Sequence, residues 1–324
     1  MIKNQKGEIM EKKEIRIQDD LYHFVNQEWI DKAIIPDDRS SAGGFAELDI
    51  ELEKLLMQEF RDMASGKNEI PNENLQKAIT LFKAGLDTKK RDEDGIKPLL
   101  VDLHKLDAVK DMKEFMENAF ALNEIGSRLP FAYGVGSDMK DSLKHCFEIA
   151  GPSIILPDTT YYAEENEKGA KLIEVWKEMA LKLMSFTDLS KEDQKDYVEA
   201  AVSYDKEIAK HVKSQLEWAD YVKAHNPMSV DEVEEQMKPF PFKKFLFDIY
   251  KDKAPTTIIV NDPRALKEFG EYWNEETFPL FKKWSYVRLL LGSCGSLTEE
   301  MREKMKREYT TKQKKKYIYN EKNI

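Results

Sequence analysis

Apolar residues recur at three- and four-residue steps along most of this chain, the spacing that places them on one face of an α-helix. In LEKLLMQEFRDMAS, Leu52, Leu55, Leu56, Phe60 and Met63 form such a stripe, and Gly66 stands where a helix would end. NENLQKAITLFKAGL repeats the pattern with Leu75, Ala78, Ile79, Phe82 and Leu86, after Pro71 and a capping Asn72. DAVKDMKEFMENAFALNEIG predicts a helix capped by Asp107 and closed at Gly126. KLIEVWKEMALKLMSF carries Leu172, Ile173, Trp176, Met179, Ala180, Leu183 and Met184. LSKEDQKDYVEAAVSYDKEIAKHV opens with Ser190 and Asp193 at capping-box spacing, as SVDEVEEQM does with Ser229 and Glu232. In NDPRALKEFGEYW, Asp262 is the cap and Pro263 takes the first helical position, where its missing N–H costs nothing. All these stripes are expected to be core.

Strand signals are few. TTIIV at 256–260 predicts one short strand. AYGVGS and PSIILPDTTYY read as loops or extended segments, and 126–162 as the main irregular section, with a possible weak sub-boundary inside it. There is no βα alternation, internal repeat or heptad array. The fold class is therefore mainly α, with at most a few short strands.

Composition narrows the function. A hydrophobic fraction of 41% supports a core and a charged fraction of 35% a highly polar surface. No apolar run approaches the roughly 18 residues of a membrane span, so no membrane association is expected; VRLLLGSCG from Val287 is far too short. A formal net charge of −10 argues against nucleic acid as a partner. Two cysteines, Cys146 and Cys294, cannot make a disulfide framework, and a cytoplasmic location fits them best. Residues 1–18 lack the apolar stretch of a secretory signal and read as a flexible leader, with Met10 a second plausible start. Residues 309–324, YTTKQKKKYIYNEKNI, read either as a disordered basic tail or as sequence out of its frame.

The chain offers little chemistry of its own. A zincin needs H-E-x-x-H, which sets two imidazoles on one helix face with a glutamate as general base. The five histidines are His23, His104, His145, His211 and His225, and no two are four apart. Glu207 and His211 share a helix face, but with no third ligand in register they read as a surface pair. His145 and Cys146 are chain neighbours, a poor arrangement for a base and its nucleophile. GVGSDMKDS at Gly134 lacks the continuation of a phosphate loop, and SAGGF at Ser40 has nothing to anchor a phosphate. No catalytic, cofactor-binding or metal-ligating residue is assigned.

A set of ordered segments nonetheless resembles the neprilysin family of zinc metalloendopeptidases, in its bacterial cytosolic oligopeptidase branch. Asp20-Leu21-Tyr22 with Asn26 and Trp29 matches D-[FL]-Y-x-x-x-N-G-x-W, except that Gln27 replaces the glycine. Ile35-Pro36 and Gly43-Gly44-Phe45 continue the match. Leu156 to Tyr162, LPDTTYY, is similar to the family's L-P-D-x-x-Y-Y segment. His225-Asn226-Pro227-Met228-Ser229 resembles Y-N-x-M-[ST], and VNDPRAL and LTEEMRE fit as well. The resemblance covers residues 19–308. It implies a helical shell that helps enclose a cavity for oligopeptides. It further implies that the zinc ligands, glutamate base and substrate clamp lie in a C-terminal half beyond this chain, which is therefore expected to be a truncated metallopeptidase, inactive alone and without its own cofactor. Its expected partners are oligopeptides or that catalytic half; the alternative is a non-catalytic peptide- or partner-binding helical module. Members with a carboxylate-binding arginine carry it where this chain has Ser41. Arg39, two residues earlier, reads as a surface residue rather than a substitute.

Overall fold

The computed structural model describes residues 15–36, 39 and 41–305. The tail 309–324 and most of the leader lie outside them. The chain divides between Lys83 and Ala84 into two compact units; the segment 126–162 lies inside the second.

The first unit holds α1 (Leu21–Lys32), α2 (Gly44–Ala64) and most of α3 (Glu73–Leu86). Asp20 caps α1 by accepting from the His23 N–H, and Asn72 accepts from Leu75 N–H at 2.9 Å. Gly66 follows α2 with φ +81°, a conformation that favours glycine. Phe60 and Phe82 meet edge to face at 5.3 Å. The α2 stripe is not core, contrary to expectation: Leu52, Leu55 and Leu56 are 52%, 59% and 48% exposed, and neither α1 nor α2 has a buried residue.

The second unit begins with α4 (Thr88–Asp94), α5 (Lys97–Asp107), α6 (Met112–Glu117) and α7 (Ala119–Glu124). Asp107 does not cap the next helix. It is the last residue of α5, and Asp111 accepts from the Glu114 N–H at 2.8 Å instead. Then come β1 (Ala132–Asp138), β2 (Asp141–Ala150), α8 (Glu167–Met184), α9 (Lys191–His211) and α10 (Gln215–Ala219). The rest is β3 (Asn226–Ser229), α11 (Val230–Gln236), α12 (Phe242–Tyr250), β4 (Thr257–Val260), α13 (Pro263–Lys267), α14 (Phe269–Tyr272) and α15 (Phe278–Ser293). Ser229 and Glu232 form the expected capping box. Ser190 caps α9, but Asp193 is too short to reach back to the cap's own N–H and takes its hydroxyl at 2.6 Å instead.

The fold is mainly helical around α15, whose residues Trp284 to Val287 are all buried. A helix buried on every side over one turn belongs at the centre of a core, and α15 packs against α9, α5 and α8. Phe281 anchors an aromatic cluster, 4.7 Å from Trp273 and 5.0 Å from Phe115, both edge to face.

A four-stranded sheet, order β1-β2-β4-β3, flanks this core. β1 and β2 form an antiparallel hairpin, β2 runs parallel to β4, and β3 antiparallel to it. The expected strand in TTIIV is β4. The stretch read as a loop, AYGVGS, is β1. Its residues are exposed or half-buried, and in β2 only Phe147 and Ile149 are buried. A hairpin with so little core face has no alternating pattern to read.

Candidate functional site

The family-like segments are structural joints. In LPDTTYY, Leu156 is buried, while Asp158 accepts from the Thr160 N–H and from the Gln215 N–H. The Tyr162 hydroxyl accepts from the Leu156 N–H at 2.9 Å and donates to Asp205 on α9. Asp205 is fully buried and also takes the Ile155 N–H and the Trp284 indole N–H, each at 2.8 Å. Burial pushes its carboxyl above the ordinary value; the hydrogen bonds from Tyr162, Ile155 and Trp284 oppose that rise without cancelling it. One carboxylate thus joins the segment to α9 and α15.

The other segments work similarly. Asn226 donates to the Val260 carbonyl at 2.9 Å, and its strand pairs with β4. Asp262 is buried and accepts from the Lys213 N–H at 2.9 Å and the Ala265 N–H at 3.2 Å. Trp29 donates to Glu47 at 3.1 Å. In LTEEMRE, Thr298 accepts from Met301 N–H at 3.1 Å, and Met301 is buried.

None of the histidines builds a catalytic centre. His23 and His104 pair with Asp20 and Asp188, and His225 with Asp138 at 3.1 Å. His211 is a mostly buried bridge rather than a surface residue: Nδ1 meets Glu268 at 2.8 Å and Nε2 meets Glu207 at 3.3 Å. Burial tends to raise the Glu207 carboxyl, but hydrogen bonds from Lys210 and His211 outweigh it and hold it low. The two carboxylates engage opposite ring nitrogens, so they do not converge on one ion with the imidazole. Among the described residues, no group of three or more His, Cys, Asp and Glu is placed to hold a metal, and zinc does not fit the donors present. Cys146 lies against Gly136 O and Glu148; burial and the Glu148 charge push its thiol up, the opposite of a nucleophile's requirement. Arg39 pairs with Glu53.

An opening of about 500 Å³ lies between the end of α7 and α15 in the second unit and is lined by Arg128, Tyr133, Ser153, Trp284 and Arg288 among others. Sequence reading singled out none of these. A second cavity of about 330 Å³ shares Ala132, Pro152 and Ser153 with it.

A helical core with a small mixed sheet, joined at these segments, defines the class. The model of the N-terminal region of peptidase family M13 matches residues 17–322, and the chain belongs to that family. This agrees with the neprilysin-family resemblance of the motifs. The chain is 36% identical over 286 residues to a neutral endopeptidase of Lactobacillus helveticus, covering 88% of this chain and 44% of that protein. It is 29% identical over 290 residues to a neutral endopeptidase of Lactococcus lactis subsp. cremoris, covering 89% and 45%. The crystal structure of PepO from Lactobacillus rhamnosus HN001 matches with a TM-score of 0.82 at 26% identity, over 92% of this chain and 47% of that one. The chain thus spans slightly less than half the length of these relatives.

Proposed function

We propose that this chain is the N-terminal, cavity-forming part of a cytoplasmic zinc endopeptidase that hydrolyses oligopeptides. Zinc, the general base and the substrate clamp would come from a region equivalent to the part of its relatives that it does not match. The observation that carries this reading is the α2 stripe. Its periodicity is that of a buried helix, yet Leu48, Leu52, Leu55 and Leu56 stand between 48% and 61% exposed. Apolar surface on this scale marks an interaction face.

The test is complementation. The chain is co-expressed with the segment of the L. helveticus enzyme that it does not match. The reading expects a stable complex that cleaves a bradykinin-sized peptide and is silenced by a chelator. Chelator-sensitive cleavage by the chain alone would overturn it.

A non-catalytic peptide-binding module is the second reading, favoured by the continuous core of the second unit and the cavity it contains. It expects saturable peptide binding by the chain alone and one sharp thermal transition.

A further inference from the structure

We infer that the cavity between α7 and α15 is a binding site for an organic carboxylate, held by Arg128 and Arg288. Its volume of about 500 Å³ falls within the roughly 300–1,000 Å³ of small-molecule sites. The lining includes two arginines, Arg128 and Arg288, and no aspartate or glutamate, in a chain of net charge −10.

The cationic groups have different supports. The Arg288 guanidinium lies over the Trp284 ring at 5.4 Å and donates to Ser153 Oγ at 2.9 Å, so packing and a hydrogen bond fix its direction. Buried Asp205 lies within its electrostatic reach and offsets part of its charge. Arg128 supplies the second charge. Its side chain is exposed, while its backbone N–H is fixed by Ser285 Oγ at 2.8 Å. The wall between them is braced: Tyr133 donates to Asn123 at 2.6 Å, and Asn123 donates to the Ser127 carbonyl at 3.1 Å.

Carboxylate is favoured over phosphate because the loop amides are already used. Gly126 N–H goes to Asn123 O at 2.9 Å, Ser127 N–H to Leu122 O at 3.0 Å, and Arg128 N–H to Ser285. These three amides are not free to cradle a third oxygen. Two planar guanidiniums match a two-oxygen anion, and Trp284, Tyr133 and Leu289 offer its carbon skeleton apolar surface. This inference concerns the chain alone and stands whether or not the proteolytic reading does.

The test is isothermal titration of the 324-residue chain with glutarate, with an acetylated dipeptide carrying a free C-terminus, with its C-terminal amide, and with inorganic phosphate. Saturable binding of glutarate or of the free-terminus dipeptide, weakened by salt, is expected; which of them binds tells a free acid from a peptide terminus. Arg128→Gln and Arg288→Gln should each weaken it about tenfold, as for the loss of a charge-assisted hydrogen bond. Arg288→Gln also removes packing on Trp284, so Arg128→Gln, with an unchanged melting temperature, is the decisive variant. No carboxylate binding, wild-type affinity in Arg128→Gln, or phosphate binding more tightly than either carboxylate would overturn the inference.

Discussion

Asp205 sits on the apolar stripe of α9, where Val198, Ala201, Asp205 and Ile208 follow at helical spacing and all are buried. Its carboxylate accepts from three donors, Tyr162, Ile155 and Trp284. An asparagine has one acceptor oxygen, so at least one buried N–H would face its amide. Asp205→Asn is expected to cost about 1–3 kcal/mol, the penalty of an orphaned buried donor, read as a lower denaturant midpoint. The pH dependence follows from burial. The folded state holds the Asp205 proton more tightly than the ordinary value of 3.8, so its stabilising contribution falls as pH rises through the interval above that value. The stability advantage of wild type over Asp205→Asn should narrow with rising pH there and then level off; a widening gap contradicts the burial argument. Gly169 is a sharper case. A Cβ there would stand 1.7 Å from the Tyr161 carbonyl oxygen. Gly169→Ala must move backbone and should cost about 1–3 kcal/mol or more, visible as a drop in melting temperature. Neither residue was singled out in the sequence, because the donors to Asp205 and the carbonyl against Gly169 come from segments packed across them.

At the scale of elements, legibility followed burial. α8 shows its stripe and α9 its Ser190 cap in sequence, because the inner face of one touches the core and the end of the other needs a partner. The β1–β2 hairpin was invisible because most of it is exposed and Gly134 and Gly136 dilute β1. The arginine-lined cavity was equally hidden, since Arg128 and Arg288 lie far apart in sequence and only the packing of α15 brings them together. α2 is the reverse: a pattern read as core that is exposed. Replacing Leu52 and Leu56 by glutamate should therefore change the stability of the chain by no more than about 0.5 kcal/mol, as for ordinary surface substitutions, while suppressing self-association. Unfolding curves and light scattering separate the two effects. A loss of several kcal/mol would mean that the stripe is already packed, and the proposed interface would lose its support.

At the scale of the whole molecule, the placement of the histidines and the family membership point in one direction. The five histidines have no four-residue spacing, and His211, held between two glutamates, spends both ring nitrogens on separate carboxylates. Family membership nevertheless brings a fold whose solved relatives are about twice this length. The joint expectation is that the purified chain binds zinc well below one equivalent after dialysis and leaves oligopeptides intact. Elemental analysis and a quenched-fluorescence peptide assay check both points. Adding the complementary segment of a relative should then produce three linked changes: one equivalent of zinc, chelator-sensitive turnover, and slower hydrogen exchange along α2. Turnover without protection of α2 would place the interface elsewhere. Protection without turnover would keep the docking face and remove the catalytic role, because covering an apolar stripe needs only a partner, whereas hydrolysis needs a zinc-bound water and its base brought to the peptide.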